Sequence, residues 1–443
     1  MKGDRKGTQR ERLIDGMIDA VGRHGYAAAN VAHAIEHAGV SRPTFYEYFD
    51  DKDDCFQAVL AEINDRLMSE LRQSVRRDSG EPAVEAALYA LLRFTDAQPH
   101  AARALFAESM AGGRKALNIR DRGLSQAHAM IEEVQSDLRE DTPTPDNSSR
   151  AMLGGVYRLL ARRLRRAENN SQALLDDLVA WARSYERPRG RHRWRSLRPL
   201  TLPSAVVPHP PPRFPVDDSP PPTRRRWDAR DESDRLRILH AVAYIAEQHG
   251  YTGTTIAEIT KFARVDSRAF YRHFPDKQRA FAAVNELYYQ QLMAVSASAF
   301  IGGGSWPQRI WDAALASARY LEQNRNLAHV AFVEGHAGGD ESVKRVEDSL
   351  LAFTLFLGEG YQYATADVGM RGPSRVALEA IALANWEITY GEIRSRATPR
   401  LAGLAGHVSW LALAPFLGER EANQFIDERL AEVRKKALPH GLI

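Results

Sequence analysis

The sequence predicts an all-α chain: two tandem three-helix units of the helix-turn-helix kind, each followed by a helical bundle. Three observations carry that expectation. The stretch GVSRPTFYEYFDDKDDCF at residues 39–56 returns as RVDSRAFYRHFPDKQRAF at 264–281. Apolar residues elsewhere recur at helical spacing, and no strand-like alternation stands out. Between 187 and 227 the composition shifts to ten arginines, two aspartates and 11 of the chain's 22 prolines. Proline removes a backbone donor and fixes φ, so this stretch reads as an extended basic linker. Its charge of +8 leaves the rest of the 443 residues at −5, against a total of +3. A chain of this length exceeds one hydrophobic core and divides into domains.

The elements follow in order from the repeat. Aligning 25–68 with 250–293 needs no gap and gives 15 identities in 44 positions. The pairs Gly25/Gly250, Tyr26/Tyr251, Phe45/Phe270, Tyr46/Tyr271, Phe49/Phe274 and Lys52/Lys277 are among them. A first helix carries the stripe Leu13, Ile14, Met17 and Val21, matched by Ile238, Leu239, Val242 and Ala246. Gly25 and Gly250 then suit a left-handed C-terminal cap. A short second helix begins after Asn30 or Thr255, both good N-caps, and ends at Gly39 or Arg264. Ser41 and Asp266 cap a third helix that holds Phe45 and Phe49, or Phe270 and Phe274. Two short helices joined by a tight turn make a helix-turn-helix, and its second helix is the one that enters a major groove.

At these residues the sequence resembles the TetR family of transcriptional regulators. That family ends its recognition helix with Tyr-x-Tyr/His-Phe and follows it with a lysine. Tyr46-Glu47-Tyr48-Phe49 with Lys52 matches, as does Tyr271-Arg272-His273-Phe274 with Lys277. The resemblance implies a double-stranded DNA operator as partner. The expected DNA-contacting set is Ser41, Arg42, Pro43, Thr44, Tyr46, Tyr48 and Lys52 in the first copy. In the second it is Thr255, Ser267, Arg268, Tyr271, His273 and Lys277. The tyrosines, His273 and the lysines position the protein on phosphates, while the first turn of the third helix meets base edges. An arginine there grips guanine bidentately. The phenylalanines belong to the core. The two reading turns, Arg42-Pro43-Thr44 and Ser267-Arg268-Ala269, share no residue, so two different half-sites are expected.

Asp50, Asp51, Asp53 and Asp54 crowd Lys52 and oppose a phosphate there. Arg264 stands where the first copy has its turn glycine, a position in which a side chain is strained. The function expected is a sequence-specific DNA-binding regulator, a ligand-responsive repressor and not an enzyme. The alternative makes one copy a degenerate scaffold for dimerisation or ligand sensing.

The domain limits expected are 8–70 and 228–296 for the DNA-binding units, 71–186 and 297–440 for the effector and dimerisation bundles, and 187–227 for the linker. Bundle helices are expected at 83–97, 100–110, 125–139, 149–166 and 171–185, then at 307–322, 327–336, 341–363, 374–396, 401–417 and 421–436. By resemblance, 149–166 with 171–185 and 374–396 with 401–417 form dimer interfaces, giving an intramolecular pseudo-dimer or a homodimer.

The aromatic residues of the second half, Trp306, Trp311, Phe332, Trp386 and Trp410 among them, suit a core or a small apolar or aromatic effector. In the linker, Pro188-Arg189-Gly190-Arg191 resembles a minor-groove hook with Arg189 and Arg191 as contacts; the plainer reading is a solvated basic segment. No phosphate loop, nucleophile triad or zinc spacing occurs, and His329 and His336 lack a supporting carboxylate, so neither cofactor nor metal is expected. A single cysteine, Cys55, excludes a disulfide framework. No apolar run approaches the roughly 18 residues of a membrane span, and a cytoplasmic, nucleoid-associated location is the expectation.

Overall fold

The computed structural model describes residues 8–75, 83–136, 148–168, 171–185, 234–338, 340–365, 372–395 and 401–437. Every element among them is helical. The segment 187–227, with Arg189 and Arg191, lies outside the described residues. The chain forms two compact units, Met1–Ala182 and Arg183–Ile443.

In the first unit, α1 (Gln9–Ala28) starts in a capping box: the Thr8 hydroxyl accepts from the Glu11 N–H, and the Glu11 carboxylate accepts from the Thr8 N–H. Leu13, Ile14, Met17 and Val21 are fully buried along one face. Against it lies α2 (Val31–Ala38), so close that a Cβ at Gly16 would sit 2.4 Å from the Ala34 carbonyl oxygen. A left-handed residue, Gly39 (φ 62°, ψ 39°), turns the chain into α3 (Arg42–Tyr48). Next, α4 (Lys52–Val75) buries Cys55, Phe56, Val59, Leu60 and Ile63. The boundary expected at 70/71 falls inside this unbroken helix, so head and bundle share one rod.

The bundle holds α5 (Ala83–Ala97), α6 (Pro99–Ala102), a π-helical turn Arg103–Glu108, a 3₁₀ turn Ser109–Ala111, α7 (Gly113–Ser136), α8 (Ser148–Arg166) and α9 (Ser171–Ser184). The sequence places the start of α7 at 125, twelve residues late. Its early turns are polar and contain Gly123, which blurs the apolar period. That glycine is where α7 closes on α4: a Cβ there would meet the Asn64 side-chain oxygen at 2.2 Å.

The second unit repeats the head as α10 (Asp234–Gly253), α11 (Ile256–Ala263), α12 (Ser267–His273) and α13 (Lys277–Ile301). Like α4, α13 passes unbroken through the expected boundary at 296/297. Beyond it come α14 (Trp306–Gln323), α15 (Arg325–His329), a π turn Val330–Glu334, a 3₁₀ turn Gly335–Gly338 and α16 (Asp340–Leu351). A 3₁₀ turn Ala352–Leu357, α17 (Gly360–Thr365), α18 (Arg375–Ser395), a 3₁₀ turn Leu401–Leu404, α19 (Ala405–Leu417) and α20 (Glu419–Ala437) complete it.

The single helix expected over 341–363 is three pieces. Tertiary packing breaks it: the Trp306 indole N–H takes the Phe356 carbonyl at 2.9 Å, and a Cβ at Gly360 would strike the Trp306 ring at 2.6 Å. Beside this break lies an ion pair of Arg309 and Glu359, side chains 3% and 1% exposed, with the guanidinium 4.7 Å from the Phe300 ring centre. No helix among the described residues is long and apolar enough to cross a membrane.

Two outcomes are expected. Arg264 occupies the left-handed turn (φ 55°, ψ 45°) that glycine fills in the first copy. Relieving that strain with Arg264→Gly should stabilise the second unit by about 0.5–1 kcal/mol in chemical denaturation, since the strain exceeds the entropy lost by added glycine freedom. Cys55 is fully buried, and burial, with Asp54 beside it, pushes its thiol pKa up to about 12. A thiol reagent at mildly alkaline pH should leave the native protein unlabelled and label it fully in denaturant.

Candidate nucleic-acid interface

Both heads hang from a break in their first helix. Gly25 (φ 74°, ψ 161°) and Gly250 (φ 69°, ψ 174°) kink α1 and α10, which then resume for a last turn. Positive φ is what glycine supplies without strain. The ψ values differ from the left-handed cap expected from the sequence, because the broken backbone is satisfied by distant side chains rather than by its own turn. The Tyr26 N–H donates to the Glu108 carboxylate at 2.9 Å, and the Tyr251 N–H donates to Glu334 at 2.9 Å. From the other side, Lys52 Nζ donates to the Tyr26 carbonyl at 3.0 Å and stands 4.2 Å over the Tyr26 ring. Lys277 Nζ donates to the carbonyls of Tyr251 (2.8 Å) and Thr254 (2.9 Å) and stands 4.3 Å over the Tyr251 ring. Each ammonium thus combines charge-assisted hydrogen bonds with a cation–π contact.

Glu108 and Glu334 are the residues that sequence reasoning missed. A signal existed: Phe106-Ala107-Glu108 is matched by Phe332-Val333-Glu334 at an offset of 226, one more than the 225 of the heads. An alignment without gaps could not carry it. The two lysines, expected on phosphates, are half-buried, and burial lowers the pKa of Lys277. Of three ammonium hydrogens, Lys52 commits one to a carbonyl and Lys277 two.

The recognition helices are α3 and α12. The Ser41 hydroxyl accepts from the Thr44 N–H at 3.3 Å, and the Asp266 carboxylate accepts from the Ala269 N–H at 2.6 Å. Phe45 and Phe270 are fully buried and Phe49 and Phe274 nearly so, which locks each helix onto the core. Arg10 lies over the Phe49 ring and Arg235 over Phe274, both at 5.6 Å.

The hydroxyls of Ser41 and Thr44 sit 2.9 Å apart in the cap, and Thr255 forms a capping box with Glu258. These three residues serve helix starts first. Ala269, expected to close the second reading turn, is corrected by the structure: it is 4% exposed, on the same inward side as Phe270. The outward face of α12 continues instead through Arg268 to Arg272, four residues on.

Outward-facing groups are Arg42, Pro43, Tyr46, Glu47 and Tyr48 in the first head, and Ser267, Arg268, Tyr271, Arg272 and His273 in the second. Tyr46 is 49% and Tyr271 57% exposed, far above a core tyrosine. Arg42 reaches over the Tyr46 ring at 6.0 Å, and the Tyr48 hydroxyl donates to Gln9 at 3.3 Å. The aspartates around Lys52 have local tasks. Asp51 accepts from the Asp54 N–H at 2.8 Å, Asp54 from the Asp50 N–H at 3.2 Å, and Asp53 from the Tyr26 hydroxyl. Burial and Asp53 push the Tyr26 phenol well above its usual pKa. As for the histidines, His329 faces Glu334 at 3.8 Å while His336 is buried against Trp386.

The family model for bacterial regulatory proteins of the tetR family matches this chain twice, at residues 13–59 and 238–284. The chain carries two TetR-like domains in tandem. Over 111 residues this chain is 29% identical to the transcriptional activator FasR of Mycolicibacterium smegmatis, covering 24% of this chain and 51% of FasR. Over 87 residues it is 31% identical to the transcriptional repressor ComR of Escherichia coli, covering 20% of this chain and 40% of ComR. The chain spans about half or less of the length of these curated relatives. Among solved structures it is similar to the fatty acid degradation regulator FadR of Bacillus halodurans, with TM-score 0.36, 18% identity, and 40% and 94% of the two chains covered. A tetR-family protein from Rhodococcus gives 0.35 at 22% identity, with 42% and 97% covered.

Replacing Lys277 by Met leaves two backbone carbonyls without their charged donor. The second unit should lose about 1–3 kcal/mol of stability. A lysine that serves only DNA would leave the denaturation midpoint where it was.

Proposed function

We propose that this chain is a sequence-specific DNA-binding transcriptional regulator whose second head supplies most of the grip on DNA. One observation carries the reading. At four exposed positions the first head has Glu36, Gly39, Pro43 and Glu47, and the second has Lys261, Arg264, Arg268 and Arg272. Lys261 lies on the last turn of α11, Arg264 in the turn itself, and Arg268 and Arg272 four residues apart on one face of α12. Duplex DNA rewards each phosphate neutralised with released counterions, so four cations add affinity and two carboxylates remove it.

In this reading Arg268 and Arg272 face base edges, while Tyr271, His273 and the uncommitted hydrogen of Lys277 hold phosphates. The first head adds a weaker contact of different sequence preference through Arg42, Pro43 and Tyr46, with Tyr48 and Lys52 on the backbone. The second reading, a first head given over to dimerisation or ligand sensing, is favoured by Glu36 and Glu47 on its outward face. Each bundle senses a small molecule, and repression is the sign assigned; a reporter promoter silenced by the regulator and reopened by ligand supports it. The heads work as an intramolecular pair or within a homodimer, which light scattering distinguishes by mass.

Selection from a random duplex pool supplies the binding site. On that site, Arg268→Ala with Arg272→Ala should weaken binding more than tenfold, the loss expected of arginines at base edges or phosphates. Arg42→Ala with Glu47 left in place should cost less than threefold. Equal losses would mean two equal readers, and no loss from either would overturn the DNA-binding reading.

A further inference from the structure

We propose that Asp234 is a specificity-determining residue of the second head: it holds the Arg272 guanidinium so that a base edge takes it in preference to a bare phosphate. Resting on the reading of the second head as the main grip on DNA, this role adds to that surface a residue outside the recognition helix.

Asp234 is the first residue of α10, the helix on which α12 packs. Its two carboxylate oxygens go to two different arginines. Oδ1 accepts from Arg237, three residues on in the same helix. Oδ2 stands 3.8 Å from the guanidinium of Arg272, on the last turn of α12. The side chains of Arg272, Asp234 and Arg237 are 66%, 34% and 21% exposed, in that order. Arg237 is thus the inner anchor, the carboxylate the link, and Arg272 the arm that reaches solvent. A carboxylate held by one arginine presents its second oxygen in a set direction.

The first head has the same frame without the charge. Gln9 stands at the position of Asp234 and accepts from the Tyr48 hydroxyl at 3.3 Å. Arg12, the counterpart of Arg237, donates instead to the Ala38 carbonyl at 3.1 Å. Glu47 stands where the second head has Arg272. Both copies therefore tie the start of the first helix to the last turn of the recognition helix. The carboxylate and the arginine that it holds occur together in one copy and are both absent from the other.

What the pair does follows from the difference between two kinds of DNA contact. Attraction to the phosphate backbone grows with positive charge and the counterions it releases. A carboxylate beside the guanidinium cancels much of that charge. Reading a base edge depends on placed donors instead, and a guanidinium carries five N–H groups in a rigid fork. With one nitrogen turned to Asp234, the fork keeps donors for the two acceptors of a guanine edge. The pair lowers attraction to any duplex more than attraction to the right one. An ion pair this exposed adds little to folding, so stability does not account for it.

The test is titration of the full chain, by fluorescence anisotropy over a range of salt concentrations, with the site selected from the random pool and with a scrambled duplex of the same length. Asp234→Asn keeps the shape and one acceptor oxygen but removes the charge. It should raise affinity for the scrambled duplex about threefold to tenfold at low salt and steepen the salt slope by about 1, as one more neutralised phosphate would. Affinity for the selected site should change less than about twofold, because the donors on the base edge are unaltered. In an Arg272→Ala background the same substitution should leave scrambled-duplex binding within about twofold, and the denaturation midpoint should stay in place throughout. An equal rise on both duplexes, an unchanged salt slope, or the same rise without Arg272 would each overturn the proposal; the last would mean that the carboxylate repels DNA unaided. A wild-type chain that binds neither duplex overturns the DNA-binding reading and this one with it. Binding that falls with Arg268→Ala and Arg272→Ala yet ignores Asp234→Asn overturns this one alone.

Discussion

Each half of the molecule depends on one tyrosine residue held through both of its backbone groups. Glycine lets the first helix break, and the tyrosine that follows is left with an N–H that its own helix does not pair and a carbonyl open to a distant donor, although the Thr254 N–H also reaches the Tyr251 carbonyl at 3.4 Å. A carboxylate from the π turn takes the N–H, and an ammonium from the start of the fourth helix takes the carbonyl. A backbone group left unpaired away from water costs about as much as a lost hydrogen bond, so the two side chains stabilise the break. The carboxylate belongs to the bundle and the lysine to the rod that joins bundle to head. The recognition helix therefore takes its orientation from contacts made outside it.

The same junction borders a cavity in each bundle. Leu105 and Phe106 line the first unit's cavity and lie on the π turn that ends in Glu108; Phe332 does the same in the second with Glu334. A π turn carries one residue more per turn than an α-helix and is rare enough to mark functional places. Here it sits in both units at equivalent positions, between the cavity and the pinned tyrosine.

Duplication has preserved the interior and released the exterior. The pinned glycine, tyrosine and lysine, the two core phenylalanines and the cation over the second of them are kept, because each is fixed by contacts that no substitution replaces cheaply. Outward-facing positions meet only water until DNA arrives, so they diverged to opposite charge: Glu36 and Glu47 in one copy, Lys261 and Arg272 in the other. The bundles diverged too, one cavity bearing a buried arginine and the other a ring of aromatic faces.

The sequence by itself determined the local architecture of the heads. Asn30, Ser41, Thr255 and Asp266 are caps as their chemistry requires, Gly39 and Arg264 are left-handed, and the phenylalanines are buried. These features are governed by neighbours within a few residues, which a sequence displays directly. Only the tertiary structure decided the rest. It assigned Glu108 and Glu334 to partners more than eighty residues away, and it turned the two lysines inward onto carbonyls. It divided 341–363 around Trp306, ran α7 from Gly113 through the close approach of Gly123 to Asn64, and put Ala269 inside and Arg272 outside. In each case the deciding energy is a contact between segments remote in the chain, and a list of residues in order carries no distance between them.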